Sequence, residues 1–126
     1  MIKTGGENVA SREVEEALYE LEGVAEVAVF GISHPHWIEA VTAAVVPKNG
    51  SALTAADVNA FARTKLAPYK RPKYVVVTEA LPKNPSGKVL KRDLRNQYAS
   101  LATDETGRRR PTDVPEKDEP DGRKQT

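Results

Sequence analysis

The first candidate for chemistry is a lysine behind Ser-Gly, at Ser86-Gly87-Lys88. It stands within "LPKNPSGKVLKRDLR", Leu81 to Arg95, a stretch crowded with cations. A glycine at this place lets the ammonium group project from a mobile loop, where it meets a phosphate or a carboxylate as a point charge. A P-loop is excluded. G-x-x-x-x-G-K-[ST] needs glycine where Pro82 stands and a hydroxyl where Val89 stands. The competing reading of Lys88 is a solvated surface charge.

Three further groups call for the same weighing. "TGGENV", Thr4 to Val9, sets two glycines and Glu7-Asn8 just ahead of a helical pattern. It reads either as a flexible loop that a ligand approaches closely or as an ordinary turn. It is no dinucleotide fingerprint, because the G-x-G-x-x-G spacing is missing. His34 and His36 flank Pro35 and precede Trp37, the only tryptophan. The chain has no cysteine and no third histidine, so these two read as a structural loop and no metal ligand is assigned. Trp37 either plugs the core or lines an apolar channel. "APYKRPKY" sets Tyr69 and Tyr74 among Lys70, Arg71 and Lys73. That mixture suits a nucleotide, with rings for a base and cations for phosphates.

Composition limits the classes of function. The 126 residues make one domain at most, and a net charge of +1 argues against a general polyanion binder. Absence of cysteine fits a cytoplasmic protein without disulfides. No apolar run approaches the roughly 20 residues of a membrane span, and the N-terminus lacks the apolar region of a secretory signal. The near-neutral total hides a split. Met1 to Ala62 holds three basic and nine acidic residues, whereas Arg63 to Arg95 holds ten basic and two acidic. The basic part is therefore expected to offer a positive surface, or simply a solvated face.

The elements that would position these groups are legible in outline. "ASREVEEALYELEG" reads as a helix capped by Ser11, with Glu13, Glu15 and Glu16 at its positive end and Gly23 as its stop. "VAEVAVFGI" alternates as a strand and "EAVTAAVVPK" reads as a second, joined to it by a connection short enough for antiparallel neighbours. Thr54 and Asp57 form a capping box that opens a second helix with Val58, Phe61, Ala62 and Leu66 inward. "KYVVVTE" reads as a third strand buried on both faces, and "VLKRDLRNQYASL" as a final helix anchored by Leu90, Leu94 and Leu101. The expected class is α+β, a small, mainly antiparallel three-stranded sheet flanked by helices over residues 1–102. Residues 103–126 carry one large aliphatic residue and no aromatic, so a disordered charged tail is expected.

Taken in order, "MIKTGGENVASREVEEAL", "HPHWIEAVTAAVVPKNG", "APYKRPKYVVV" and "LPKNPSGKVLKRDLR" resemble the C-terminal domain of the adenylate-forming, AMP-binding enzymes, in particular acyl-CoA synthetases. The resemblance covers Met1 to about Tyr98. It implies the mobile domain of a ligase that converts a carboxylic acid, ATP and CoA to acyl-CoA, AMP and pyrophosphate. By motif, Lys88 matches the adenylation lysine. Gly5, Gly6 and Glu7 match the loop facing the pantetheine arm of CoA, and Trp37 an aromatic position lining that arm. Tyr69, Lys70 and Arg71 match the surface where the CoA nucleotide lies. Lys3 and Asn8 match positions near the active site. The residue after the tryptophan is usually glycine in that family, and here it is Ile38.

The same resemblance assigns ATP, its Mg2+ and the acyl group to a large N-terminal AMP-binding domain, in the same or a separate chain. This chain is not expected to be active without it. The alternative is a non-catalytic module that binds CoA or a partner protein. Nucleic-acid binding by the basic part ranks last.

Overall fold

The computed structural model describes residues 1–104. The chain enters as a short hairpin, β1 (Ile2–Thr4) and β2 (Glu7–Val9), followed by α1 (Ser11–Tyr19). Two long strands, β3 (Val24–His34) and β4 (Ile38–Pro47), lead to α2 (Ala55–Lys65). A short 3-10 turn at Pro68–Lys70, strand β5 (Tyr74–Val77), α3 (Lys91–Tyr98) and α4 (Ser100–Asp104) complete it. The expected tail lies outside the described residues, apart from its first two, which end α4.

The fold is α+β, as expected, but the sheet has five strands rather than three. The added strands are β1 and β2, each of three residues. Runs so short show no measurable alternation, which is why "TGGENV" reads as a loop in sequence. Gly5 and Gly6 both have positive φ (60° and 90°) and make the tight two-residue turn that closes this hairpin.

β3 and β4 pair antiparallel along their whole length, from Val24 opposite Pro47 to His34 opposite Ile38. That leaves one edge of β4 for two partners. β1 takes its start, at Ile38, and β5 runs parallel to it along Thr42–Val45. The period of two sorts the side chains between two cores. Val27, Val29, Val41, Ala43, Val45 and Val75 meet Val14 and Leu18 of α1 and Val58 and Ala62 of α2. Ala28, Phe30, Ile32, Ala44 and Val76 meet Leu94 of α3 and Leu101 of α4. Helices thus cover both faces, and a fully buried Val or Leu contributes about 1.5–3 kcal/mol. β5 is buried at Tyr74, Val75 and Val76, which bears out the reading of its valine run, while Val77 is exposed.

The outer edge of β3 has no neighbouring strand, and α1 covers it. The Val27 N–H donates to the Tyr19 hydroxyl (3.2 Å) and the Val29 N–H to the Glu15 carboxylate (2.8 Å). Free strand edges invite unwanted pairing, and these two bonds block it. Ser11 is not the cap of α1. Ala10 occupies that position without a side-chain bond, and the Ser11 hydroxyl accepts from Lys91 Nζ (3.2 Å). The Thr54–Asp57 capping box of α2 is present in full. Among the described residues no helix is long and apolar enough to cross a membrane.

Candidate functional site

Lys88 sits on a hydrogen-bonded hairpin. Lys83 and Val89 form an antiparallel bridge, and Leu90 N donates to Pro82 O (2.9 Å). Inside it, Asn84 N donates to Lys88 O and Gly87 N to Asn84 O (both 2.9 Å). The Asn84 side-chain oxygen accepts from Ser86 N (3.0 Å), Ser86 Oγ (2.8 Å) and Lys88 N (2.9 Å). Asparagine satisfying amides two and more residues ahead is a common way to build a turn. Gly87 serves it with φ of 91°, a value that side chains oppose. Glycine here therefore shapes a turn, and the backbone around Lys88 is held rather than loose.

The Lys88 ammonium group is exposed and makes no ion pair among the described residues. It borders a groove of about 780 Å³ beside the outer edge of β3, lined also by Glu15, Tyr19, Val27, Leu90 and Arg92. The neighbouring cations are occupied differently. Lys83 pairs with Glu26 (2.8 Å) and Lys91 with Glu15 (2.8 Å). Farther off, Lys65 pairs with Glu20 (2.9 Å) and Lys70 with Glu13 (2.7 Å). The acidic and basic halves of the sequence are thus partly joined across the fold. The positive surface expected from the charge split is correspondingly reduced.

A second cluster forms at the far end of the β3–β4 hairpin. His34 is buried, and its Nδ1 accepts the backbone N–H groups of His36 (3.0 Å) and Trp37 (3.3 Å). The His34 and Trp37 rings lie 4.4 Å apart between centroids, and Lys73 Nζ lies 4.8 Å from the indole centroid. Trp37 O accepts from Gly5 N (2.9 Å) and Glu39 N (2.8 Å). A methyl group added at Gly5 would touch the indole at 3.4 Å, so the hairpin lies directly against the ring. Ile38 has a φ of 71° and is 65% exposed, an unfavourable backbone for a β-branched residue. A glycine at this position would take that φ without strain.

The other sequence candidates gather on the same side. Lys3 and Asn8 are register partners across the hairpin, and Glu7 and Asn8 are exposed. β2 packs against the Pro68–Lys70 turn, which brings Tyr69 and Lys70 near. Tyr69 is 39% exposed, with Lys70 Nζ 5.6 Å from its ring centroid. The hydrogen bond to Glu13 raises the Lys70 ammonium above its ordinary value of 10.5, against the opposing effect of burial. Arg71 already has work in the fold. Its Nε donates to Leu66 O (2.9 Å) and its Nη2 to Arg63 O (3.3 Å), closing the C-terminal end of α2.

The candidates therefore form two groups, not one. Gly5, Gly6, Glu7, Lys3, Asn8, Trp37, Tyr69 and Lys70 share one end of the molecule. Lys88 borders the groove that Val27 and Ala28 of β3 also line, and Ala28 is six residues from His34 along that strand, or about 20 Å at strand spacing. Sequence reasoning missed four contributions: the turn built by Asn84, the placement of Lys73 over Trp37, the acceptor role of His34 and the pairing of Lys91. Asn-Pro-Ser-Gly is a turn signal that pointed to Asn84. The other three depend on contacts between distant segments. Among the described residues no group of three His, Cys, Asp or Glu side chains is placed to hold a metal ion.

The family model of the AMP-binding enzyme C-terminal domain matches residues 13–88. A feruloyl-CoA synthase of an Amycolatopsis species is 45% identical over 98 residues, covering 78% of this chain and 20% of that protein. The long-chain-fatty-acid–CoA ligase FadD13 of Mycobacterium tuberculosis is 42% identical over 100 residues, covering 79% of this chain and 20% of that protein. The crystal structure of ATP-bound MatB from Rhodopseudomonas palustris matches with a TM-score of 0.77 at 38% identity, covering 79% of this chain and 20% of that one. The chain thus spans about a fifth of the length of the curated relatives it matches.

Proposed function

The chain belongs to the AMP-binding enzyme C-terminal domain family, and from that premise we propose that it is the mobile small domain of an ATP-dependent acyl-CoA synthetase. The observation that carries the reading is the Lys88 ammonium group, exposed and without an ion pair among the described residues, on a hairpin held by Asn84. In the first half-reaction a carboxylate oxygen attacks the α-phosphorus of ATP, and pyrophosphate leaves. Negative charge gathers on two anions that repel each other as they meet. The Lys88 ammonium bridges them, an electrostatic role whose loss costs on the order of 10²–10³ in rate. The carboxylate, ATP and Mg2+ are held by the N-terminal AMP-binding domain.

The second half-reaction uses the opposite end. The CoA thiolate attacks the acyl carbon of the adenylate, AMP leaves, and the thioester forms. Gly5 and Gly6 present a hairpin without side chains, which leaves room for a pantetheine arm along the Trp37 ring. Tyr69 and Lys70 lie beyond it for the nucleotide of CoA. Arg71 has its Nε and one terminal nitrogen committed to α2, so it meets that nucleotide through its remaining donors. Two faces about 20 Å apart at strand spacing cannot serve one reacting centre together. Rotation of the whole domain between the half-reactions follows, and a held Lys88 hairpin suits it, because the lysine then travels with the domain.

The test is reconstitution. The C-terminal fifth of a relative such as the feruloyl-CoA synthase is replaced by this chain, and ATP-, acid- and CoA-dependent thioester formation is measured. Restored turnover is expected. A folded chimera that releases no pyrophosphate and forms no thioester contradicts the proposal.

A further inference from the structure

Among the described residues Ile38 alone, glycines aside, has a positive φ, 71°. Glu39 N donates to Trp37 O at 2.8 Å, so Trp37, Ile38 and Glu39 form a three-residue γ-turn, with the φ of its rare and strained form. A β-branched side chain is poorly suited to that backbone. Burial does not offset the strain, because Ile38 is exposed and packs in neither core. The fold does use the bend. The same Trp37 O accepts from Gly5 N at 2.9 Å, and Thr4 is the register partner of Ile38, so this turn is where the Gly5–Gly6 hairpin joins β4. The bend has no use for an isoleucine, since glycine makes it without strain. A strained residue that the fold does not require points to a contact outside the fold.

We propose that Ile38 is a specificity-determining residue of the Trp37 face: its exposed side chain adds an apolar wall beside the indole for the arm of the acyl-accepting thiol. The class of ligand rests on the function proposed above, in which the arm runs along Trp37 and the nucleotide lies beyond it at Tyr69 and Lys70. Trp37 is half-buried, and Gly5 and Gly6 carry no side chain. Ile38 is therefore the large apolar residue that this turn exposes to a ligand. It touches the arm and not the nucleotide, so CoA and pantetheine depend on it alike. Adenylation, which uses the Lys88 end, does not depend on it.

Two readouts separate the needs of the fold from those of the ligand. In the intact chain, urea unfolding compares the native protein with Ile38→Gly and Ile38→Ala. Glycine relieves the strain, so the midpoint of Ile38→Gly is expected above the native one. Alanine keeps a Cβ at the same positive φ, so Ile38→Ala is expected below Ile38→Gly. A midpoint for Ile38→Gly at or below the native one means that the fold itself uses the side chain, and overturns the proposal.

In the reconstituted enzyme, thioester formation is measured from preformed acyl-adenylate. The KM for CoA is expected to rise about three- to tenfold in both variants, the loss of roughly one or two buried methylene contacts, with kcat within about twofold. Pantetheine, which has the arm and no nucleotide, is expected to lose as much. Acid-dependent pyrophosphate release is expected to stay unchanged. An unaltered KM for CoA, or a loss seen with CoA and not with pantetheine, overturns the role of Ile38 and leaves the assignment of the domain standing. A chimera of the native chain without turnover contradicts that assignment instead. Ile38 is then judged in the chain alone, where millimolar pantetheine is expected to shift the Ile38 methyl resonances, and resonances that do not shift overturn the proposal.

Discussion

Replacing Asn84 with alanine removes one side-chain oxygen that accepts three hydrogen bonds, two of them from the backbone amides of Ser86 and Lys88. A net intramolecular hydrogen bond is worth about 0.5–1.5 kcal/mol, and this hairpin is exposed, so the lower part of the range applies to each. Loss of both amide bonds then weakens local order by about 1–2 kcal/mol, a factor of roughly 5–30 in the closed-to-open ratio of the hairpin. The core contacts of α3 and the sheet are untouched. Amide hydrogen exchange by NMR reads the effect residue by residue. Ser86 and Lys88 are expected to exchange about 5–30 times faster in Asn84→Ala, while amides of β3 and β4 keep their protection. Asn84→Asp, which keeps an accepting oxygen, is expected to restore most of the protection. Unchanged exchange at Lys88 in the alanine variant would refute the reasoning, because the lysine would then owe its placement to something other than Asn84.

Other expected outcomes concern the framework. Gly23→Ala places a Cβ 2.8 Å from Ser51 Oγ at a φ of 100°, whereas Gly50→Ala, at 80°, meets nothing within 4 Å. Urea unfolding is expected to show a loss of about 1–2 kcal/mol for Gly50→Ala from backbone strain alone, and a larger loss for Gly23→Ala. Arg71→Ala is expected to cost about 1–2 kcal/mol in the same assay, since it frees two carbonyls at the end of α2; an unchanged midpoint would make Arg71 a ligand contact only. Because the Lys70 ammonium is raised above 10.5 by Glu13, its contribution to stability is present below pH 10.5 and is lost as pH rises through the raised value. Glu13→Gln is expected to flatten the alkaline fall in thermal midpoint, and an identical alkaline profile for both proteins would contradict the pairing.

Much of the framework could be read from local patterns. The capping box at Thr54 and Asp57, the strand runs of β3 and β4 and the buried valines of β5 are each written within a few consecutive residues, and each appears in the fold, although β3 and β4 are buried on both faces where alternation suggested one. The errors share a cause. β1 and β2 are three residues long and exist because β4 offers an edge at Ile38, which no local pattern announces. Ser11 has the right type for a cap, yet Lys91, 80 positions away, engages its hydroxyl. The division into acidic and basic halves suggested a positive face, and folding instead joined Lys65, Lys70, Lys83 and Lys91 to glutamates of the other half. At the candidate site, Lys88 and the Gly5–Gly6 pair were visible as residue types in order. What they lacked was position. The separation of Lys88 from Trp37 is set by the length of β3. Gly87, read as a source of mobility, is required by the φ of a held turn.

The central claim is that Lys88 serves adenylation and that the opposite end serves thioester formation. It is tested most directly by separating the half-reactions in the reconstituted enzyme carrying Lys88→Ala. Acid-dependent pyrophosphate release is expected to fall by about 10²–10³, because one transition-state charge is removed. Thioester formation from preformed acyl-adenylate and CoA is expected to stay within a few-fold of the unsubstituted enzyme. Pyrophosphate release at full rate, or an equal loss in both half-reactions, would contradict the account.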